Sequence, residues 1–341
     1  MGLFYAGLIL SFMGLIIFHV IFGIVNFYFW IVNGVDFVLK GENFIETIYF
    51  SVYLKWIGLL DLIWLSSFLA FLLKRKHYKT DEQKHYLSES KINEPKICVI
   101  IPTYNEEKIV KQVINDFKNQ KNISEVLIID NHSEDNTVKI AKECNVTVIT
   151  KEKNLGFAHS CVLGLKKSLK TDSNIIILTE CDGTFSGNDI KKFTPYLENC
   201  DMVIGTRQIQ VLTEKGNQNS MFYVWGNYLL AKIIQIKYFS LLHLGIVELT
   251  DVGCTYRAIR RDGLEKIIKE FENPKTSEIK IGADSGLFAI FMTLLGIEKN
   301  LRIVEIPVIF KKRIGISKTQ AEKKSKGIKY GLIFFWYIIT H

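Results

Sequence analysis

Two carboxylates one residue apart, Glu180 and Asp182, follow the apolar run Ile175–Thr179 in the stretch I-I-I-L-T-E-C-D-G-T-F-S-G-N-D-I. An apolar run bounded by turn residues reads as a buried strand. Ligands of open α/β sheets bind beyond the carboxyl ends of the strands. Paired hard oxygen ligands at that spot suit Mg²⁺ or Mn²⁺ carrying a diphosphate. A solvated turn after a strand explains the triplet too, because acidic-x-Asp arises often by chance. What the other strands end in must decide.

From Lys96 onward strand-like and helical patterns alternate. Strands are expected at Ile97–Ile101, Glu125–Asp130, Val146–Thr150, Ile175–Thr179 and Met202–Gly205, with helices near 107–119, 134–144, 156–170 and 187–198. This alternation predicts a doubly wound, mainly parallel α/β sheet. The first strand runs into Pro102-Thr103-Tyr104-Asn105-Glu106, the second into Asp130-Asn131-His132-Ser133 and the fifth into Gly205-Thr206-Arg207. Carboxylates and amides converging at strand ends can hold a base and ribose while a metal holds the phosphates. His132 reads as a turn residue, and Ser133 and Asp135 suit the start of the second helix.

Ahead of the sheet the chain is apolar. No residue from Met1 to Val35 is charged, and a second apolar run, Ile48–Leu73, contains only Lys55 and Asp61. Each is long enough to span a bilayer, so we expect a transmembrane hairpin: helices at 1–32 and 48–73 joined by a loop at 33–47. A signal peptide would need a basic start and a shorter apolar core. Asp61 is expected to make a polar contact with the first helix. A basic segment, Lys74-Arg75-Lys76-His77-Tyr78-Lys79, opens a polar linker at 74–95. By the positive-inside rule this end is cytoplasmic, which makes the protein multi-pass in a cell membrane or endomembrane with the folded domain in the cytoplasm.

Residues 1–73 have net charge −2 and the whole chain +8, so the remainder is about +10. That favours an anionic partner, a membrane surface or a phosphorylated ligand; no motif pairs the charge with nucleic acid. Six scattered cysteines without a C-x-x-C pair fit a reducing compartment and give no zinc site. The aromatic stretch 216–246 fits a helix in the membrane interface or a core-packing helix pair. Beyond the strand Ile303–Phe310, residues Lys311–Lys329 hold eight Lys or Arg against Glu322. The apolar Gly331–Thr340 is too short to span, so it is an interfacial helix or packs on the hairpin.

In order, I-I-P-T-Y-N-E-E, I-I-D-N-H-S-E-D-N-T, N-L-G-F-A-H, T-E-C-D-G-T and V-I-G-T-R resemble the family 2 glycosyltransferases of the GT-A fold. D-V-G-C-T-Y-R-A-I-R-R and E-I-P-V-I-F-K-K-R-I-G-I-S-K are similar to its polyprenyl-phosphate branch, the dolichol-phosphate mannosyltransferase type. The resemblance covers roughly 96–320 and implies a GT-A domain at 96–310, then a closing loop and membrane-proximal tail at 311–341. It implies that Pro102, Tyr104, Glu106, Asp130, Asn131 and Glu180 line a nucleotide-sugar pocket. Asp182, aided by Glu180, would bind Mg²⁺ or Mn²⁺. Arg207 would face the donor, and Asp251, Arg257 and Asp284 the acceptor. Arg313 and Lys318 would close over the diphosphate or lipid phosphate. The implied reaction is inverting transfer of a hexose from GDP-mannose or UDP-glucose to a polyprenyl or dolichyl phosphate, with a homo-oligomer left open. Another glycan or lipid acceptor and a catalytically degenerate anchoring subunit are the alternatives. The processive synthases' Q-x-x-R-W is missing, as is the Gly-rich basic N-terminal loop of nucleotidyltransferases.

Overall fold

The computed structural model describes residues 2–40, 52–74, 90–214, 221–238, 248–272, 285–314 and 324–340. Contacts divide the chain into two compact units, Met1–Lys76 with Trp336–His341, and His77–Phe335.

The first unit is built on helices α1 (Gly2–Lys40) and α2 (Val52–Lys74). Helix α1 therefore continues eight residues into the stretch expected as loop. The ring pairs Tyr5–Phe71, Phe12–Trp64 and Phe18–Trp56, with centroids 5.5, 6.3 and 6.3 Å apart, run in opposite chain directions, so the helices are antiparallel. Gly7 faces Ser67 and Gly14 faces Leu60, small residues that let two apolar helices approach. Phe4–Val25 and Lys55–Leu73 are long and apolar enough to cross a membrane. Among the described residues Asp61 makes no polar contact with α1; its side chain is exposed.

The second unit follows in the order β1 (Ile97–Thr103), α3 (Val110–Lys118), β2 (Ile123–Asp130), α4 (Thr137–Glu143), β3 (Thr147–Thr150), α5 (Phe157–Ser168), β4 (Ile175–Leu178), α6 (Ile190–Tyr196), β5 (Met202–Thr206), α7 (Met221–Lys237), β6 (Arg257–Arg260), α8 (Arg261–Ile267), α9 (Ser285–Glu298), β7 (Ile303–Pro307) and α10 (Lys324–Thr340), whose residues from Trp336 on belong to the first unit. Among the described residues the sheet has seven strands in the order β3-β2-β1-β4-β6-β5-β7. All pairings are parallel except those of β6, which runs antiparallel to β4 and β5.

Strand β1 is buried along its whole length, as its unbroken apolar sequence requires of a strand covered on both faces. Val110, Val113, Ile114 and Phe117 recur at helical spacing and form the buried face of α3. Helix α5 sits close to the sheet because Gly164 lies against Ile100, where a Cβ would collide. The helix expected from 107 starts at Val110, after a turn in which the Glu106 carbonyl accepts the N–H groups of Ile109 and Val110. Around 216–246 the described residues form one helix, α7, with Leu230, Ala231, Ile233 and Ile234 buried and Phe222, Trp225 and Leu229 exposed. Strand β6 and the largely apolar α9 were not expected, and β6 separates β4 from β5.

Candidate active site

Strand β4 ends at Leu178, and the chain turns through Glu180-Cys181-Asp182-Gly183, with Gly183 in the left-handed region at φ 76°. Thr184 fixes Asp182: its N–H and its hydroxyl donate to Oδ1 at 3.0 and 2.5 Å. Glu180 is fixed from a distant part of the chain, by the Thr255 hydroxyl donating to Oε1 at 2.5 Å. One guanidinium serves both acids. Arg313 Nη2 lies 2.5 Å from Asp182 Oδ2 and 3.5 Å from Glu180 Oε2. Its segment is stitched onto the acidic turn by Lys311 N–H to Thr184 O at 2.7 Å and Ile314 N–H to Asp182 O at 3.1 Å.

Burial, and then the charge of Asp182, pushes Glu180 up to about 7, against the opposing pull of Arg313 and the Thr255 hydrogen bond. A carboxyl whose folded pKa lies above its unfolded value of about 4.3 binds extra proton in the folded state. Its contribution to stability is then greatest at low pH and falls as pH rises through about 7. In chelator, Glu180→Gln is accordingly expected to melt above wild type at pH 8 and level with it at pH 4. Equal melting at pH 8 would contradict a strained, charged pair.

Arg207, just beyond β5, forms a bidentate pair with Asp251, Nε to Oδ2 at 2.6 Å and Nη2 to Oδ1 at 2.7 Å. Its guanidinium carbon lies 5.3 Å from the centre of the Phe310 ring. Burial raises Asp251, but Arg207 overrides it and holds the carboxyl below the usual range.

The first two strand ends are tied to each other. Asn105, at φ 52°, donates its N–H to Ser133 Oγ at 2.9 Å, and its Oδ1 accepts the Glu134 N–H at 2.9 Å. Ser133 donates to the fully buried Asp130 through Oγ, 2.5 Å, and N–H, 3.2 Å. It therefore serves Asp130, and the start of α4 is held by Asp135, which accepts the Thr137 N–H at 2.9 Å, and by Glu107, which accepts the Asn136 N–H at 3.2 Å. Asn131 spans to the next loop: Nδ2 donates to Asn154 Oδ1 at 2.7 Å and Oδ1 accepts the Leu155 N–H at 3.0 Å. Pro102 is buried in β1 opposite Ile129, and Tyr104 and Glu106 are half-buried on the loop after it. His132, expected as a turn residue, has a left-handed backbone, φ 66°. Sequence reading passed over Lys151 at the end of β3, which is buried, donates to Gly156 O at 3.3 Å and is pushed down to about 8 by burial.

Arg257, expected on the acceptor side, is 1 % exposed, and its guanidinium donates to the carbonyls of Cys254 at 2.5 Å and Ala289 at 3.2 Å. Its place on the interior strand β6, beneath α9, keeps it from any surface; burial lowers it to about 10. Asp284 and Lys318 lie outside the described residues. Thr184, Thr255 and Glu305 were also missed. Of these only Glu305 carried a signal, a lone charge in the apolar run I-V-E-I-P-V-I-F.

Among known proteins, the UDP-N-acetylglucosamine–dolichyl-phosphate N-acetylglucosaminyltransferase of Methanococcus voltae is 33% identical over 130 residues, 33% of this chain and 51% of that one. The chain thus spans about half the length of that relative. The polyprenol monophosphomannose synthase of Mycolicibacterium smegmatis is 25% identical over 228 residues, 64% of this chain and 79% of that one. A solved structure, the glucosyl-3-phosphoglycerate synthase of Mycobacterium tuberculosis with Mn²⁺, UDP and glucosyl-3-phosphoglycerate, covers 72% of this chain and 80% of its own, with 14% identity and a TM-score of 0.48. The family model described as glycosyl transferase family 2 matches residues 98–268, half of the chain and six of the seven strands, and to that family this chain belongs.

Proposed function

We propose that this glycosyltransferase moves a hexose from a nucleotide-diphosphate sugar to a polyprenyl or dolichyl phosphate at the cytoplasmic face of a membrane, with inversion. GDP-mannose and UDP-glucose are the proposed donors. UDP-N-acetylglucosamine joins them, because the Methanococcus relative is named for it. The observation that carries the reading is the acidic pair Glu180–Asp182 at a strand end, gripped by a cation from the basic loop. Relatives named for transfer to dolichyl or polyprenyl phosphate, and two apolar helices long enough to span, support the lipid acceptor.

The donor set fits a divalent ion. Two hard carboxylates meet here, one of them buried, with oxygens that already draw in a cation. Among the described residues no group of three or more His, Cys, Asp or Glu side chains gathers into a metal cage. Two protein carboxylates plus diphosphate oxygens are the usual complement for Mg²⁺ or Mn²⁺. Glu180 and Asp182 would hold the ion, which when bound offsets charge on the departing diphosphate. The lipid phosphate is already anionic at neutral pH and attacks the anomeric carbon without a strong base. Arg313 and Arg207 supply preorganised positive charge for the leaving diphosphate. Tyr104, Glu106, Asp130 and Asn131 shape the nucleotide end.

Arg313 occupies the space between the acids, so it competes with the ion. Arg313→Ala is expected to bind Mn²⁺ at least about tenfold more tightly in calorimetry without nucleotide, since a unit charge a few Å from the ligands is removed. Unchanged Mn²⁺ affinity would contradict the competition. The reading as a whole is tested by titrating the protein with each nucleotide sugar, with and without Mn²⁺. Metal-dependent binding is expected, and binding indifferent to metal would remove its basis.

A further inference from the structure

The loop carrying Asp251 is held from the edge of the sheet. Glu305 is the lone charge of β7, in register with Ile204 of β5. Its carboxylate accepts three hydrogen bonds from that loop: Thr250 N–H at 2.7 Å and Thr250 Oγ–H at 2.6 Å on Oε2, and Asp251 N–H at 2.9 Å on Oε1. Thr206, the last residue of β5, adds a hydroxyl–hydroxyl bond to Thr250 at 2.8 Å. The next link is Asp251 itself, whose carboxylate takes the bidentate fork of Arg207 and accepts the Arg207 N–H at 3.2 Å. One carboxylate on an edge strand thus fixes a second, and the second fixes an arginine at the mouth of the sheet.

We propose that Glu305 is the positioning residue for Arg207, locking the Thr250–Asp251 backbone so that Asp251 presents the guanidinium to the donor diphosphate. This rests on the reading of Arg207 as a diphosphate-facing cation. Only the ionised carboxylate accepts all three bonds; a glutamine turns one oxygen into a donor facing another donor. Burial first, then the charge of Asp251, pushes Glu305 up to about 7, against its hydrogen bonds from Thr250 and Asp251. The charged group that acts on it is Asp251 on the loop; Arg207, beyond β5, is joined to it through Asp251. As pH falls through about 7, Glu305 takes up a proton, the loop loses an acceptor, and transfer declines.

The test is a double-mutant cycle on the full-length protein in membranes, with the best donor among UDP-glucose, GDP-mannose and UDP-N-acetylglucosamine, and with polyprenyl phosphate. Glu305→Gln is expected to lower kcat/KM about 10- to 100-fold, the scale typical of residues that orient a working group. It should also flatten the acid limb of the pH profile. In an Arg207→Ala background the same substitution should add almost nothing, because residues acting through one another are non-additive. Full additivity, or an acid limb unchanged in Glu305→Gln, would overturn the proposal. If Glu305→Gln does not fold, Thr250→Val, which deletes only the hydroxyl bonds, enters the same cycle with the same expectation of non-additivity. Wild-type transfer by Arg207→Ala would instead strike the reading of Arg207, a result distinct from additivity.

Discussion

Asp182→Asn is expected to lower sugar transfer by at least about 10²-fold, the cost of losing one preorganised electrostatic group at a developing charge. The fold should survive. An asparagine Oδ1 still accepts both bonds from Thr184, so the turn after β4 is kept. Arg313, with its side chain 29% exposed, keeps Glu180 as a partner. Only the negative charge facing Arg313 is lost. Asp182→Ala removes the turn bonds too and should be as inactive. Circular dichroism and a retained melting midpoint would show an intact fold, and wild-type-like transfer by either variant would remove Asp182 from the mechanism.

The second large effect is on stability. Asp251→Ala leaves Arg207, only 16% exposed at the side chain, without its bidentate partner. Breaking one side of such a buried pair costs about 3–5 kcal/mol. At about 2–4 °C per kcal/mol for a 150–250-residue domain, the midpoint should fall by about 10 °C. Acid should act in the same direction. With its folded pKa depressed, Asp251 contributes stability above the unfolded value of about 3.9, which is lost as pH falls through the folded pKa. The double variant Arg207→Met/Asp251→Leu should regain much of the stability, since an apolar pair of similar volume replaces a buried ion pair at little cost. It should not regain transfer. A midpoint within about 2 °C of wild type for Asp251→Ala would show that the pair does not hold the loop.

What was legible in the sequence is what local chemistry writes there. The apolar runs of β1, β2, β4 and β5 and their polar tails are contiguous, so period and punctuation reveal both the strand and its open end. What escaped depends on partners far apart in the chain. Strand β6 is four residues with arginine at each end, and no pattern announces that Arg257 will be buried beneath α9 against the Ala289 carbonyl. The pairing of Arg207 with Asp251 spans 44 positions, and it turns two residues expected to face different substrates into one unit. Arg313 was expected over a phosphate; it meets the acids themselves, as a mobile-length basic side chain does when two carboxylates offer the strongest local field. Asp130 and Asn131 were assigned to the nucleotide, yet their side chains also fasten the loops around it. A polar strand end can hold the turn that it belongs to as well as a ligand, and sequence alone does not separate the two.

The central claim is transfer of sugar to a lipid phosphate. Membranes containing the protein are incubated with polyprenyl phosphate, Mn²⁺ and labelled GDP-mannose, UDP-glucose or UDP-N-acetylglucosamine, then extracted with organic solvent. The account predicts label in the organic phase with one of these donors, none without metal, and none with Asp182→Asn. Label that stays in the aqueous phase or on protein with every donor, while the nucleotide sugar is consumed, would contradict it.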